Sequence, residues 1–120
     1  MRFLSLYKSG KPEIPPTQQE MADMGKLIGE AMQAGWLIAT EGCLPSATGA
    51  RVRLSDGKVS IIDGPFAETK EVIGGFAILQ TSSKEEAIER TKYFLQVAGG
   101  GECEIRQLCE APAAASGSAA

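Results

Sequence analysis

Residues 61–75 read IIDGPFAETKEVIGG, and this run organises the rest of the chain. Asp63, Gly64, Pro65 and Phe66 supply turn chemistry between two apolar segments of strand character. Upstream, residues 51–55 and 58–62 flank Asp56-Gly57, the signature of a two-residue type I′ hairpin turn. That turn sets Ser55 opposite Lys58, Leu54 opposite Val59 and Val52 opposite Ile61. One face of the hairpin is then apolar, and the other carries Arg51 and Arg53 as its wet side. Downstream, residues 72–81 form a strand that is apolar on both faces, with Phe76 and Ile78 against Ala77 and Leu79. Gly74-Gly75 inside it predicts a bulge or a close backbone approach.

Further out, residues 2–7 read as a first strand, with Phe3 and Tyr7 on one face and Leu4 and Leu6 on the other. A loop ending at Pro15-Pro16 leads to Thr17-Gln18-Gln19-Glu20, a capping box. Met21, Met24, Ile28, Ala31 and Met32, with Leu27 beside them, recur at helical spacing, and Gly35 stops the helix near residue 34. The methionines read as adaptable core. Residues 36–40 form a short strand and residues 41–49 a loop. Two overlapping capping boxes begin at Ser82 and Ser83, and Ala87, Ile88, Thr91, Phe94, Leu95 and Ala98 continue a second helix up to Gly99-Gly100-Gly101. Residues 102–109 are a last strand, with Cys103 and Ile105 on one face and Arg106 and Leu108 on the other. The domain is expected over residues 1–110, with a disordered small-residue tail at 111–120.

Without the hairpin this order is βαββαβ, an α+β, ferredoxin-like arrangement with an inserted β-hairpin. Right-handed crossovers put both helices on one side of the sheet. Strands that are apolar on both faces leave the other side in need of cover, which a homodimer with sheets packed face to face provides.

With 120 residues and a net charge of −3, the chain is one domain without the basic footprint of a nucleic-acid binder. The first residues, MRFLSLYKSG, are too short an apolar run for a leader or a membrane span, so a cytoplasmic location in a bacterial cell and no membrane partner are expected. Three cysteines fit no disulfide or zinc spacing. Cys103 and Cys109 on a straight strand would lie ~20 Å apart, beyond bridging distance. There is no histidine, so a histidine-dependent triad, an imidazole metal site and a histidine base are all excluded within the chain. No cofactor or metal is implied by the residues present.

The run IIDGPFAETKEVIGGF resembles the YCII-related, or DGPF-domain, family. Glu41-Gly42 with Pro45, and Arg51, Arg53, Gly57 and Lys58, extend the resemblance, which covers residues 2 to about 110. It implies a dimeric α/β barrel of ferredoxin-like subunits, in a family of mostly unassigned activity with some members linked to extracytoplasmic-function sigma factors. The YCII branch implies a His–Asp pair in a cleft. This chain supplies only the acidic member, and Asp63 is the residue that matches the motif.

Asp63 reads in two ways. Its carboxylate either caps the turn at 64–67, reaching past Pro65 to Phe66 or Ala67, or stands at a cleft mouth as proton acceptor or ligand anchor. Phe66 is a hydrophobic plug or dimer contact, or else a ligand contact. Lys70, with Arg51 or Arg53, is a solvated surface charge or an anion clamp opposite Asp63. Glu41, Gly64, Pro65 and Thr48 would line the same cleft, and Cys43 is a loop thiol with no basic cluster around it. Two functions follow: a dimeric small-molecule-binding or regulatory module, with a sigma factor as a further partner, or a small cofactor-free enzyme using Asp63 as general acid or base.

Overall fold

The computed structural model describes residues 1–10, 14–65 and 73–110. Its elements are β1 (Arg2–Lys8), α1 (Gln18–Ala34), β2 (Leu37–Gly42), a 3-10 turn (Ser46–Thr48), β3 (Ala50–Ser55), β4 (Lys58–Asp63), β5 (Ile73–Gln80), α2 (Lys84–Ala98) and β6 (Glu102–Gln107). A four-stranded sheet has the order β2-β5-β1-β6, every neighbour antiparallel, and β3 and β4 form a separate hairpin. This is the strand order of a ferredoxin-like α+β fold.

Local chemistry sets the helix ends. The Thr17 hydroxyl accepts from the Glu20 amide at 3.0 Å, and the Glu20 carboxylate accepts from the Thr17 amide at 3.1 Å. Such a cap is worth ~1 kcal/mol. Gly35 and Gly99 end the two helices in the left-handed conformation, which costs a glycine no Cβ clash. Of the two capping serines at α2, Ser83 takes the cap position, accepting from the Glu86 amide at 3.1 Å. The Ser82 hydroxyl donates instead to the Glu86 carboxylate at 2.8 Å.

Both helices pack on one sheet face. Phe3 (2% exposed) is buried with Leu37 and Leu79 from the sheet, Ala31 from α1 and Ala87 from α2. Thr91 is buried beside them, its hydroxyl donating to the Ala87 carbonyl at 2.8 Å. The methionines are not core: Met21 and Met32 are exposed and Met24 is half-buried. Leu27 and Ala31 take the buried stripe of α1 in their place.

Two irregularities aim the sheet's side chains. β2 shifts register between Leu37 and Ala39, leaving Ile38 unpaired on a strand that runs on to Gly42. β1 and β5 shift at Tyr7/Lys8, where Gly74 is skipped. A Cβ on Gly75 would lie 2.7 Å from the Glu41 carbonyl, so this double-glycine step is both a bulge and a close approach.

The hairpin departs from a half-buried reading. Asp56 and Gly57 both take positive φ, and Ser55↔Lys58, Leu54↔Val59 and Val52↔Ile61 pair as that turn requires. Yet Val52, Leu54, Val59 and Ile61 are 64–71% exposed. Among the described elements none makes more than slight contact with β3 or β4 except each other. The sheet face away from the helices carries Leu4, Leu6, Phe76 and Ile78, each partly buried, and neither described helix lies over it.

Phe3→Ala should lower the unfolding free energy by about 3–5 kcal/mol in urea titrations. Gly29→Ala, on an α1 position with nothing within 4 Å of an added Cβ, should raise it by about 0.5–1 kcal/mol.

Candidate functional site

The Asp63-Gly64-Pro65 segment leaves the hairpin and joins the loop after β2. The Gly64 amide donates to the Gly49 carbonyl at 2.8 Å, and the Cys43 amide donates to the Gly74 carbonyl at 3.0 Å. A Cβ on Gly64 would overlap the Ser46 carbonyl, so the backbone of the 3-10 turn can approach this closely only against glycine. Gly64 is thus a latch fixing the base of the hairpin to the 3-10 turn. The Gly64–Pro65 peptide is cis. The turn expected to run on through Ala67, together with Phe66 and Lys70, lies outside the described residues.

Beside this latch a cavity of about 1130 Å³ opens between the helices and the sheet. Ser5, Tyr7, Ala77 and Leu79 line it from the sheet. Met21, Met24 and Ile28 line it from α1, and Phe94 and Val97 from α2. Trp36 and Arg90 border one part, and Cys43, Pro45, Ser46 and Pro65 another. The volume lies just above the usual range of small-molecule sites, about 300–1,000 Å³, and apolar walls with a few polar groups are their usual chemistry.

Tyr7 and Phe94 meet edge to face, with centroids 5.2 Å apart and planes at 87°. The Tyr7 hydroxyl donates to the Gly100 carbonyl at 3.4 Å, at the end of α2. The Arg90 guanidinium stands 5.0 Å from the centre of the Trp36 ring. Arg90 is the one cation among the described lining residues, and Glu20 and Glu41 are the carboxylates.

The residues expected at the site are therefore divided. Glu41 and Pro65 border the cavity, and Gly64 adjoins it as the latch. Pairing with Phe76 puts Glu41 on the sheet face away from the helices, so its backbone borders the cavity while its side chain leaves it. Asp63 ends β4, exposed and paired with Ala50, two residues from Pro65 and outside the lining. Arg51 and Arg53 lie along the hairpin, also outside it. Thr48 donates its hydroxyl to the Pro45 carbonyl at 3.2 Å within the 3-10 turn.

Sequence reasoning gave Tyr7, Trp36, Phe94 and Arg90 no role at a site. The signal for two of them was present: Tyr7 shares strand parity with Phe3, and Phe94 is one turn after Thr91. Nothing in the pattern shows that the helices stand off the sheet there.

Cys103 faces the helices opposite Tyr7 in β6. Burial raises its thiol above the ordinary range, a hydrogen bond with Ser5 offsets part of this, and the Glu102 charge adds to the rise. A raised folded-state value means the native state holds this proton more tightly than the unfolded chain. Its stabilising contribution is present at neutral pH and is lost as pH climbs from about 8.5 through the folded value. Thiol labelling near pH 8 should therefore modify the exposed Cys43 and Cys109 quickly, and Cys103 only on unfolding. Gly64→Ala should cost about 1–3 kcal/mol in thermal or urea unfolding, since the backbone of the 3-10 turn must shift.

An uncharacterised protein of Rhizobium meliloti (strain 1021) is 33% identical over 72 residues, covering 60% of this chain. The chain spans 58% of the length of that curated relative. A solved structure of similar fold is 5-chloro-2-hydroxyhydroquinone dehydrochlorinase from Burkholderia phenoliruptrix in complex with 2,5-dihydroxybenzoquinone. It matches with a TM-score of 0.51 and 14% identity, over 92% of this chain and 96% of that one, and shares the fold. No helix among the described residues is long and apolar enough to cross a membrane. The YCII-related domain model matches residues 1–110, and the chain belongs to that family.

Proposed function

We propose that the chain is a cytoplasmic, homodimeric small-molecule-binding module whose ligand occupies the cavity between helices and sheet. The observation that carries this reading is the cavity itself: about 1130 Å³, walled by Tyr7, Trp36, Phe94 and two methionines, with Arg90 as its cation. Aromatic walls favour a planar ligand, methionines adapt to its outline, and Arg90 favours an acidic oxygen on it. The dehydrochlorinase of similar fold was solved with 2,5-dihydroxybenzoquinone, a planar molecule with ionisable oxygens, which supports the same ligand class here. The homodimer is supported by the apolar sheet face opposite the helices, which neither described helix covers. A sigma factor as regulatory partner rests on the family resemblance alone.

Trp36 is the single tryptophan and borders the cavity, so it reports on occupancy. Titration with 2,5-dihydroxybenzoquinone should quench its fluorescence saturably, with calorimetry giving the same affinity. Gly25→Leu should abolish binding without unfolding the chain. Gly25 lines the cavity, an added Cβ meets nothing within 4 Å, and α1 gains helix propensity. Arg90→Gln should weaken the ionised compound about tenfold while leaving a neutral planar analogue unaffected. Equal binding by wild type and Gly25→Leu would remove the cavity from the reading. Light scattering should give a dimer at micromolar concentration.

A second reading is favoured by the fact that the neighbour of similar fold is an enzyme. In it the chain is a cofactor-free acid–base catalyst with Asp63 as the proton-transfer group, two residues before Pro65, which borders the cavity. It requires turnover by the wild type that is lost in a folded Asp63→Asn variant.

A further inference from the structure

The β3–β4 arm is the largest feature that neither the cavity nor the core explains. It is amphipathic: Val52, Leu54, Val59 and Ile61 lie on one face and Arg51, Arg53 and Lys58 on the other. The apolar four are 64–71% exposed, more open than any other apolar cluster described. A two-stranded hairpin is at best marginal by itself in water, and a contiguous apolar patch marks a contact surface. The arm's base is held by the Gly64 latch, so the strands are presented in a set direction.

Charge selects the occupant. Residues 50–63 carry three cations (Arg51, Arg53, Lys58) and two carboxylates (Asp56, Asp63), a net +1, against −3 for the whole chain. The remainder therefore carries −4. A basic arm is attracted to an acidic body and repelled by another arm. The body also offers apolar surface: Ile38 at the β2 bulge and Ile73 at the start of β5 are about half exposed, at the margin of the uncovered sheet.

We propose that the β3–β4 arm is an intersubunit clasp, its apolar face seated on the body of a second copy of this chain beside the paired sheets. This rests on the homodimer proposed above and adds a contact that the dimer itself does not require. Each arm would bury Val52, Leu54, Val59 and Ile61 on its partner, while Arg51, Arg53 and Lys58 on its other face act only through the long-range attraction between basic arm and acidic body.

The test combines two measurements on the full chain. Amide hydrogen exchange of the wild type, followed from high to low protein concentration, should show arm amides protected in the dimer and exposed on dilution. The double variant Leu54→Asp/Ile61→Asp should weaken dimerisation at least about tenfold, while the charge-neutral Ser60→Thr on the opposite face leaves it unchanged. Trp36 emission and the melting curve report whether the body of each variant stays folded. A dimer that persists in the double variant, with arm amides exchanging freely at every concentration, overturns the clasp and leaves the homodimer standing. A wild type that is monomeric throughout overturns both. Arm protection appearing only with anionic phospholipid vesicles makes a lipid surface the occupant and also overturns the clasp.

Discussion

The burial of Phe3 between the sheet and two alanines is the contact from which the geometry of this subunit follows. Ala31 on α1 and Ala87 on α2 are the smallest side chains that can face it, and both are essentially fully buried. Small residues let both helices close on the sheet at that end. At the other end the facing residues are Tyr7, Met21, Met24 and Phe94, and the space between them stays open as the cavity. One fold therefore holds a tight end and an open end. Close packing is concentrated in the first and open volume in the second, a separation in keeping with sites carried on rigid scaffolds.

A second constraint comes from topology. Right-handed crossovers place both helices on one side, so the sheet has one covered face, while Leu4, Leu6, Phe76 and Ile78 make the other face apolar as well. Lys8, Glu104 and Arg106 punctuate that face toward β6. Arg106 approaches Glu104 at 2.8 Å and Lys8 at 3.4 Å, and both hold the Glu104 carboxyl below its usual range. The apolar surface is thus centred on β1 and β5, with Glu41 of β2 at its other side, near the base of the hairpin arm. Sheet face and arm present the same physical problem among the described residues: apolar area that neither helix covers.

The motif that marks the family does its clearest physical work in backbone geometry. Gly64 lets two backbone segments touch, and its amide is satisfied by Gly49. The aromatic and methionine groups that shape the cavity come from β1, α1 and α2, far from the motif in sequence.

Much of the architecture is determined locally and is therefore legible in the chain alone. Thr17 with Glu20, and Ser83 with Glu86, announce helix starts because a first-turn amide needs an acceptor three residues back. Asp56-Gly57 announces the hairpin register because both residues must take positive φ. The alternation of Phe3, Ser5 and Tyr7 assigns β1's inner face, since strand side chains alternate by two. What tertiary structure alone decided is where those faces meet something. Hydrophobic pattern says that a residue prefers burial, not whether a neighbour is available, so Met21 and Met24 became cavity wall and Val52 and Leu54 became open surface. The bulges at Ile38 and Gly74 likewise depend on the partner strand, and Asp63 was separated from the cavity lining by the path of the backbone through the Gly64 latch. Local chemistry determined the elements; only packing decided which of their faces were buried and which were left open.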